Sequence, residues 1–394
     1  MKFYIETYGC SRNQADSEAI AGALAEEHEQ VSTPDDADIV VVNTCIVKTP
    51  TENKILKALK KYSNKKLIVA GCMPEAERDK IKEVAPNAEI WGVKHEEVLE
   101  GPHIRVNKLV GIIPISSGCL GSCTYCIVRF ARGKLKSYSV EKILNAIETA
   151  IKDECKEIWI TAQDTGAYGI DIGNSLPNLL EKVCTLDGDF KVRVGMMNPN
   201  HAMKMLPALS KALQHEKMFK FLHLPIQSGN NKILKEMNRF YTVEDYKKII
   251  DYVKREIPQI TISTDIIVGF PGETNQEFKD TLKVLEETKP DIVNISRYGA
   301  RPGTSAAELK QHEEITKKER SREATKLVKE IGQARNNDWI NWEGEVLIDE
   351  HGKENDFIGR NFAYKPIVVK GTHKLGEKVN VKIKKATSTY LVSG

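Results

Sequence analysis

The 394-residue sequence contains no uncharged apolar run long enough to span a bilayer, which argues against a membrane-spanning helix. It also lacks the apolar core of a secretory signal, because residues 1–8 alternate as a β-strand does. We therefore expect a cytoplasmic protein with no membrane partner. Charge of one sign is not in excess, since 58 Lys and Arg residues face 55 Asp and Glu residues. Total charge therefore does not identify a binding partner.

What the sequence does contain is an ordinary globular composition, with 41% hydrophobic residues, over a length sufficient for two or three domains. It also contains eight cysteines, at positions 10, 45, 72, 119, 123, 126, 155 and 184. In a reducing compartment, cysteines serve more often as metal ligands or core residues than in disulfides. Cys155 and Cys184 have helical neighbours and no metal-binding spacing, so we interpret both as structural.

Three of these cysteines, Cys119, Cys123 and Cys126, lie within eight residues. A loop this short can turn three thiolates toward one point, and thiolates select iron–sulfur clusters or zinc. Because a four-iron cluster takes four cysteine ligands, three would leave one iron open to another ligand. Gly118 and Gly121 allow the backbone to fold tightly around such a group. The alternatives are a zinc knuckle without a nearby fourth ligand, or three unrelated cysteines.

The first hundred residues alternate between strand and helix patterns, which predicts a parallel α/β domain. Cys10, Cys45 and Cys72 each follow one predicted strand, and the carboxyl ends of parallel strands meet at one edge of the sheet. The three thiols can therefore hold a second cluster with an open iron. The alternative is that each is a small buried residue at a strand end.

From residue 103 the chain alternates again, which predicts a full or partial (β/α) barrel with active-site groups at the carboxyl ends of its strands. The predicted strands are residues 109–115, 157–161, 190–195, 219–224, 261–268 and 291–297. The predicted helices are residues 140–151, 176–186, 203–214, 242–256 and 276–288. Polar residues follow several of the strands, including Gln163, Asp164, Gln227 and Arg239. The alternative is that these polar residues only shape or cap loops.

The last part of the chain is predicted to form a long helix over residues 315–339 and then a small β-barrel with three short strands, over residues 346–348, 365–369 and 378–383. This tail is rich in lysine, including Lys370, Lys382 and Lys384. A second basic stretch, with Arg129, Arg132 and Lys134, follows the Cys119–Cys126 loop. This stretch also contains Phe130 and Tyr138. Basic residues can bind RNA phosphates and aromatic residues can stack on bases, so we predict RNA contacts at these six basic residues. The alternative is two solvated, positively charged surfaces.

These segments resemble a known family. The Cys119–Cys126 loop, with Tyr125 before its third cysteine, resembles the cluster loop of radical S-adenosylmethionine (SAM) enzymes. In that family the open iron binds the amino and carboxylate groups of SAM, and an electron splits SAM to give a 5′-deoxyadenosyl radical. Residues 8–18, 43–52 and 70–74 resemble the three cysteine motifs of the methylthiotransferases. Residues 131–138 resemble most closely the archaeal and eukaryotic type that acts on threonylcarbamoyl-adenosine in tRNA.

The resemblance implies three domains: residues 1–102 with an auxiliary cluster, residues 103–332 as a partial radical SAM barrel of about six units, and residues 333–394 as a TRAM-like RNA-binding β-barrel. It implies two 4Fe-4S clusters bound by the six cysteines, which are the expected catalytic and metal-binding residues. It also implies SAM contacts at Tyr125, Gln163, Asp164, Gln227 and Arg239, a tRNA substrate, and a flavodoxin-like or ferredoxin-like one-electron donor.

The function implied by the resemblance is addition of a methylthio group to C2 of the adenine of threonylcarbamoyl-adenosine, with two SAM molecules consumed. Two alternatives keep this chemistry on another substrate, either isopentenyl-adenosine in tRNA or a ribosomal-protein side chain. A third alternative is a non-catalytic iron–sulfur sensor that binds RNA. A sensor would not need the SAM-like segments at the strand ends.

Overall fold

The computed structural model describes residues 1–93, 98–353 and 356–394. The chain forms two compact units: the first comprises residues 1–175 with 301–304, and the second comprises residues 176–300 with 305–394. Within the described residues, no helix has the length and apolar character needed to cross a bilayer. The division into residues 1–102, 103–332 and 333–394 stays a prediction.

The first unit begins with a parallel α/β sheet of five strands, in the order β2-β1-β3-β4-β5. Its elements are β1 (Lys2–Thr7), α1 (Ser11–Ala25), β2 (Glu29–Gln30), β3 (Ile39–Thr44), α2 (Thr49–Tyr62), β4 (Lys66–Gly71), α3 (Met73–Ala76), α4 (Arg78–Val84) and β5 (Glu89–Gly92). All six residues of the central strand β3 are buried. A run of β-branched residues buried on both faces is typical of such a strand. The predicted parallel α/β fold is confirmed.

The remainder of the first unit carries the Cys119–Cys126 loop. Its elements are β6 (Val110–Pro114), β7 (Ser116–Ser117), α5 (Val128–Arg132), β8 (Lys136–Ser137), α6 (Val140–Lys152) and β9 (Glu157–Thr161). Strands β6 and β9 pair in parallel, whereas β7 and β8 form an antiparallel pair. The loop therefore begins directly after β7 and is followed by the short helix α5.

The second unit contains further β/α elements and then a small barrel. Its elements are α7 (Leu176–Thr185), β10 (Lys191–Val194), α8 (Pro199–Lys204), α9 (Leu206–Gln214), β11 (Phe221–His223), α10 (Asn231–Glu236), α11 (Val243–Glu256), β12 (Thr261–Val268), α12 (Asn275–Thr288), β13 (Ile292–Arg297), α13 (Glu314–Asn337), β14 (Glu343–His351), β15 (Phe357–Arg360), β16 (Pro366–Val369), β17 (Lys378–Ala386) and β18 (Leu391–Ser393). Strands β11, β12 and β13 form a parallel sheet. Thr242 caps the N-terminus of α11 and Thr274 that of α12, each in a reciprocal capping box that satisfies free N–H groups.

Five strands close the barrel in the order β14-β15-β16-β18-β17. Its interior is apolar and contains Val346, Ile348, Ile367, Ile383 and Leu391. Two consecutive buried residues, Tyr364 and Lys365, are among those through which the barrel packs against the rest of its unit. Tyr364 contacts Phe219 with ring centroids 4.7 Å apart. Lys365 Nζ donates to Asp291 Oδ1 at 2.8 Å and to Asn336 Oδ1 at 2.9 Å.

Two sequence predictions differ from the structure. The sequence predicts one helix over residues 203–214, whereas this region contains the end of α8 and all of α9. The break falls before Pro207, which lies in the first turn of α9, where proline is favoured. The sequence predicts three strands in the tail, whereas the barrel has five. The two strands that the sequence does not predict are β15, which contains Gly359, and β18, which has only three residues, so neither shows a clear strand pattern.

Candidate active site

Cys10, Cys45 and Cys72 follow three neighbouring strands, β1, β3 and β4, as the sequence predicts. Cys45 and Cys72 are buried, whereas Cys10 is exposed. The sulfurs of Cys10 and Cys72 lie 3.8 Å and 3.9 Å from the same atom, Asn13 Oδ1. A β-carbon on Gly9 would lie 2.9 Å from Cys45 Cβ, so the residue before Cys10 packs directly against Cys45. The structure therefore brings the three cysteines together at one edge of the sheet.

Asn13, in the first turn of α1, is fixed by the backbone around it. Its Nδ2 donates to Thr44 O at 2.7 Å and to Tyr8 O at 3.0 Å. Both acceptors lie within two residues of a cysteine of this set. Because the amide nitrogen is engaged in this way, the amide oxygen Oδ1 is directed toward Cys10 and Cys72.

A buried charge network lies beside Cys72. Arg132 Nε donates to Cys72 Sγ at 3.3 Å, and Arg132 Nη2 donates to Asp16 Oδ2 at 2.6 Å and Asn13 Oδ1 at 3.0 Å. Arg12 binds the other oxygen of Asp16, so two buried guanidiniums share one carboxylate. Arg132 Nη1 is buried and has no hydrogen-bond partner among the described residues.

Burial also affects the thiols themselves. It raises the pKa of the Cys45 thiol to about 11, and the nearby Cys72 and Cys10 add to the rise. Burial likewise raises the pKa of the Cys72 thiol, although the positive charge of Arg132 opposes part of that rise. Binding of a metal or cluster therefore has to displace protons from these thiols.

The Cys119–Cys126 loop is held by the segment that follows it. Cys119 N donates to Gly133 O at 3.2 Å. Gly118 has a φ of +77°, and a β-carbon there would lie 2.0 Å from Lys134 O, so both backbone conformation and space require glycine. A β-carbon on Gly121 would lie 3.3 Å from Cys119 Sγ and 3.7 Å from Cys123 Sγ. Gly121 therefore keeps the space beside two sulfurs open.

The prediction that Arg132 contacts RNA needs correction. Arg132 is only 1% exposed, and its guanidinium is occupied by Asp16, Asn13 and Cys72. An RNA phosphate cannot reach it without displacing these partners. The sequence shows Arg132 only as one of several basic residues after the loop. The one sequence feature that could have indicated its contact with the cysteines is its position six residues after Cys126. Helix α5, which contains it, packs next to both sets of cysteines.

The other predicted RNA-binding residues lie on the surface. Arg129, Lys134, Lys370 and Lys384 are exposed. Lys382 forms an ion pair with Glu343 on the neighbouring strand β14. RNA contacts at these five residues stay predictions.

In the first unit, the SAM contacts predicted from the resemblance include Gln163 and Asp164, directly after β9. Gln163 Oε1 is buried and has no hydrogen-bond partner within the described part of the chain, so it is a free acceptor for a ligand donor such as an amino group. Asp164 Oδ1 accepts from Gly166 N at 3.1 Å and caps a short 3₁₀ turn. Tyr125 is half-buried in the cluster loop. A SAM contact at any of these residues stays a prediction.

The second unit contains the other two predicted SAM contacts, Gln227 and Arg239. Gln227 has a φ of +69°, which is rare for a residue other than glycine, and its backbone pairs with Asp265 and Ile267 of β12. Arg239 donates to Asn198 Oδ1 and, at 3.1 Å, to Tyr241 Oη. Both residues follow β11, as the sequence predicts, and their contact with SAM stays a prediction.

The donor set is one that iron–sulfur clusters use, because their irons are held by cysteine thiolates. In the described ranges, no group of three His, Cys, Asp or Glu side chains converges closely enough to hold one metal ion. Arg12 and Arg132 carry two positive charges and Asp16 carries one negative charge, so a net positive charge remains next to Cys72. An anionic cluster would offset this charge. Cluster sulfides would also supply an acceptor to Arg132 Nη1.

Comparison with known proteins agrees with this site. Three family models match the chain: "Uncharacterized protein family UPF0004" over residues 2–92, "Radical SAM superfamily" over residues 113–285 and "TRAM domain" over residues 343–393. The radical SAM match contains Cys119, Cys123 and Cys126, and the first match contains Cys10, Cys45 and Cys72.

A probable threonylcarbamoyladenosine tRNA methylthiotransferase from Pyrococcus abyssi is 43% identical, over 100% of this chain and 99% of the relative. The chain belongs to the threonylcarbamoyladenosine tRNA methylthiotransferase family. A human protein called threonylcarbamoyladenosine tRNA methylthiotransferase is 35% identical, over 97% of this chain and 72% of the relative. The predicted family and its archaeal and eukaryotic type are therefore confirmed, and so is the assignment as a radical SAM enzyme.

Solved structures support the fold of this methylthiotransferase-family chain. A radical SAM methyltransferase, TsrM from Kitasatospora setae, solved with cobalamin and a [4Fe-4S] cluster bound, covers 78% of this chain with a TM-score of 0.53. Its identity is 12%, and the alignment covers 77% of that protein. At this identity the likeness concerns the fold alone. The predicted fold class, a parallel α/β domain, a radical SAM region and a terminal β-barrel, is confirmed.

Proposed function

We propose that this protein is an enzyme that replaces the hydrogen on C2 of threonylcarbamoyl-adenosine in tRNA with a methylthio group. The observation that carries the proposal is the full-length similarity to relatives named for this activity, and this chain also has six cysteines in the two sets described above. The carrier of the methyl group and the source of the radical are both SAM, so two SAM molecules are consumed for each product.

Two 4Fe-4S clusters would be held by this chain, one by Cys119, Cys123 and Cys126 and the other by Cys10, Cys45 and Cys72. A 4Fe-4S cluster in contact with SAM supplies a one-electron cleavage that yields a radical able to remove the C2 hydrogen. The residues of the chain bind and orient the reactants around this chemistry. Gln163 offers its buried acceptor to the amino group of SAM, and Gly121 keeps space open beside two of the cysteine sulfurs.

The second set of cysteines would hold the sulfur that is methylated and transferred. This assignment is supported by the separate location of the set at the edge of the five-stranded sheet and by the buried positive charge next to Cys72. The electron for SAM cleavage would come from a flavodoxin-like or ferredoxin-like protein. The lysines of the barrel and the exposed basic residues Arg129 and Lys134 would contact the tRNA phosphates.

The test is mass spectrometry of nucleosides from tRNA incubated with the anaerobically reconstituted enzyme, SAM and a reductant. We expect a methylthio product from tRNA containing threonylcarbamoyl-adenosine, and none from tRNA containing isopentenyl-adenosine or from ribosomal proteins. Product formed only from one of the other substrates would show that the enzyme acts on that substrate instead. Iron-loaded protein that never cleaves SAM would indicate a sensor instead.

The roles of the two sets can be separated by replacing each set with alanine. The reconstituted parent should contain about eight irons and each triple variant about four. The variant lacking Cys119, Cys123 and Cys126 should not cleave SAM. The variant lacking Cys10, Cys45 and Cys72 should retain some SAM cleavage but yield no methylthio product, and product formation by this variant would contradict the role of the second set.

A further inference from the structure

Arg132 connects the segment after one cysteine set to a cysteine of the other. It ends helix α5, six residues after Cys126, and its Nε lies 3.3 Å from Cys72 Sγ. The next residue, Gly133, accepts a hydrogen bond from the amide of Cys119 at 3.2 Å. Arg132 therefore contacts a cysteine of one set, and its neighbour Gly133 contacts a cysteine of the other. All four residues lie in the same compact unit.

The guanidinium of Arg132 is held in place and cannot easily move away from Cys72. Asp16 and Asn13 accept from its Nη2 at 2.6 Å and 3.0 Å, and the residue is 1% exposed. Asn13 is itself fixed, because its Nδ2 donates hydrogen bonds to the backbone carbonyls of Tyr8 and Thr44. A planar guanidinium restrained in this way keeps its Nε–H directed at the sulfur.

A hydrogen bond and a positive charge at a ligand sulfur both stabilise the more negative, reduced form of an iron–sulfur cluster. We propose that Arg132 is a positioning residue for the cluster held by Cys10, Cys45 and Cys72: its hydrogen bond to Cys72 Sγ fixes that ligand and raises the reduction potential of the cluster. This inference rests on the proposed function, because it requires the second cluster to be present.

The experiment uses the full chain with Cys119, Cys123 and Cys126 replaced by alanine, so that only the second cluster is observed. Anaerobic reconstitution with iron and sulfide is followed by iron analysis and by a redox titration monitored by electron paramagnetic resonance. Into this parent we introduce Arg132→Met, which removes charge and donors, and Arg132→Lys, which keeps the charge. Arg129→Gln, at an exposed arginine on the same helix, is the control.

We expect the parent to bind about four irons and Arg132→Met to lower the reduction potential of its cluster. Arg132→Lys should lie between the two, because lysine keeps the charge but loses the planar fork. Arg129→Gln should match the parent. If Arg132→Met folds with the same melting temperature but loses iron that Arg129→Gln retains, fixing of Cys72 is supported as well.

A potential in Arg132→Met equal to that of the parent, with about four irons present, would overturn the proposal. If Arg132→Met has no cooperative unfolding transition, Arg132→Lys decides: a lowered potential supports the proposal, and an unchanged one overturns it. If the parent binds no iron, Cys10, Cys45 and Cys72 hold no cluster, and this result would contradict the proposed function itself. Failure at that level is therefore distinguishable from failure of the role of Arg132.

Discussion

Arg301 Nη1 donates to Glu52 Oε2, although 249 residues separate the two in the sequence. The Arg301 side chain is 4% exposed and that of Glu52 is 9% exposed. Lys80 Nζ contacts the other oxygen of Glu52 at 2.6 Å. Glu52, at the start of α2, thus joins the segment 301–304 to the five-stranded sheet of the first unit.

Replacing Glu52 with glutamine should destabilise the protein at neutral pH by about 1–3 kcal/mol, because Arg301 is left buried without its carboxylate partner. Burial alone would raise the pKa of Glu52, but hydrogen bonds from Lys80 and Arg301 outweigh burial and lower it below its ordinary value of 4.5. The stabilisation is therefore present above pH 4.5 and is lost as the pH falls through the lowered pKa.

The measurement is the difference in melting temperature between the parent and Glu52→Gln at pH 7 and at a pH well below the ordinary glutamate pKa of 4.5. The difference should be large at neutral pH and shrink in acid. Glu83→Gln, at an exposed glutamate on α4, should show no difference at either pH. A constant difference at both values would mean that the charge of Glu52 does not contribute.

Replacing Lys365 with methionine should lower the stability of the second unit. The Lys365 side chain is 4% exposed and donates to Asp291 and Asn336. Breaking a buried ion pair from one side costs about 3–5 kcal/mol, and the remaining contact of Asp291 with Arg335 should reduce this toward the lower end. Chemical denaturation of Lys365→Met and of the exposed control Lys370→Met measures the effect. Equal midpoints for the two variants would contradict the role of the buried pair.

Replacing Gly121 with valine should reduce the iron bound by Cys119, Cys123 and Cys126, because the new side chain would occupy the space beside two of their sulfurs. Gly121→Ala should have a smaller effect, since its β-carbon meets Cys119 Sγ at 3.3 Å and a small shift relieves the contact. Iron analysis in the chain lacking Cys10, Cys45 and Cys72 isolates this cluster. Leu120→Ala, a change at the exposed neighbour, is the control. Full iron loading in Gly121→Val would show that the cluster does not use this space.

Replacing Lys370 and Lys384 together with glutamine should weaken tRNA binding and reduce its dependence on salt. Both lysines are exposed, so their ammonium groups can be reached by phosphates. The slope of log affinity against log salt should decrease by roughly 0.7 to 0.9 for each phosphate that the variant no longer neutralises. The double variant Lys204→Gln and Lys211→Gln, at exposed lysines on α8 and α9, makes the same change in total charge and is the control. An unchanged slope in the double variant would exclude Lys370 and Lys384 as phosphate-binding residues.

The sequence predicts the positions of the six cysteines in the fold because strand order and loop spacing determine them. Cys45 and Cys72 directly follow buried strands, and a run of β-branched residues is visible without coordinates. The sequence does not predict the role of Arg132, because its partner Asp16 lies 116 residues away. Contacts between residues so far apart in the sequence depend on how whole helices and strands pack together. In addition, nothing in the sequence around Arg132 distinguishes a buried basic residue from its exposed basic neighbours. The same holds for Glu52 and Arg301.

The contact of Tyr364 with Phe219 has a consequence for recombining these enzymes. Tyr364 adopts a φ of +59° and also packs near Phe221, with ring centroids 5.4 Å apart. These aromatic partners lie outside the residues that match the TRAM model, whereas Tyr364 lies inside them. A chimera that exchanges residues 343–393 between relatives would therefore separate interlocking side chains. Such exchanges should yield soluble hybrids only when Phe219, Phe221 and Asp291 are transferred together with the barrel that packs against them.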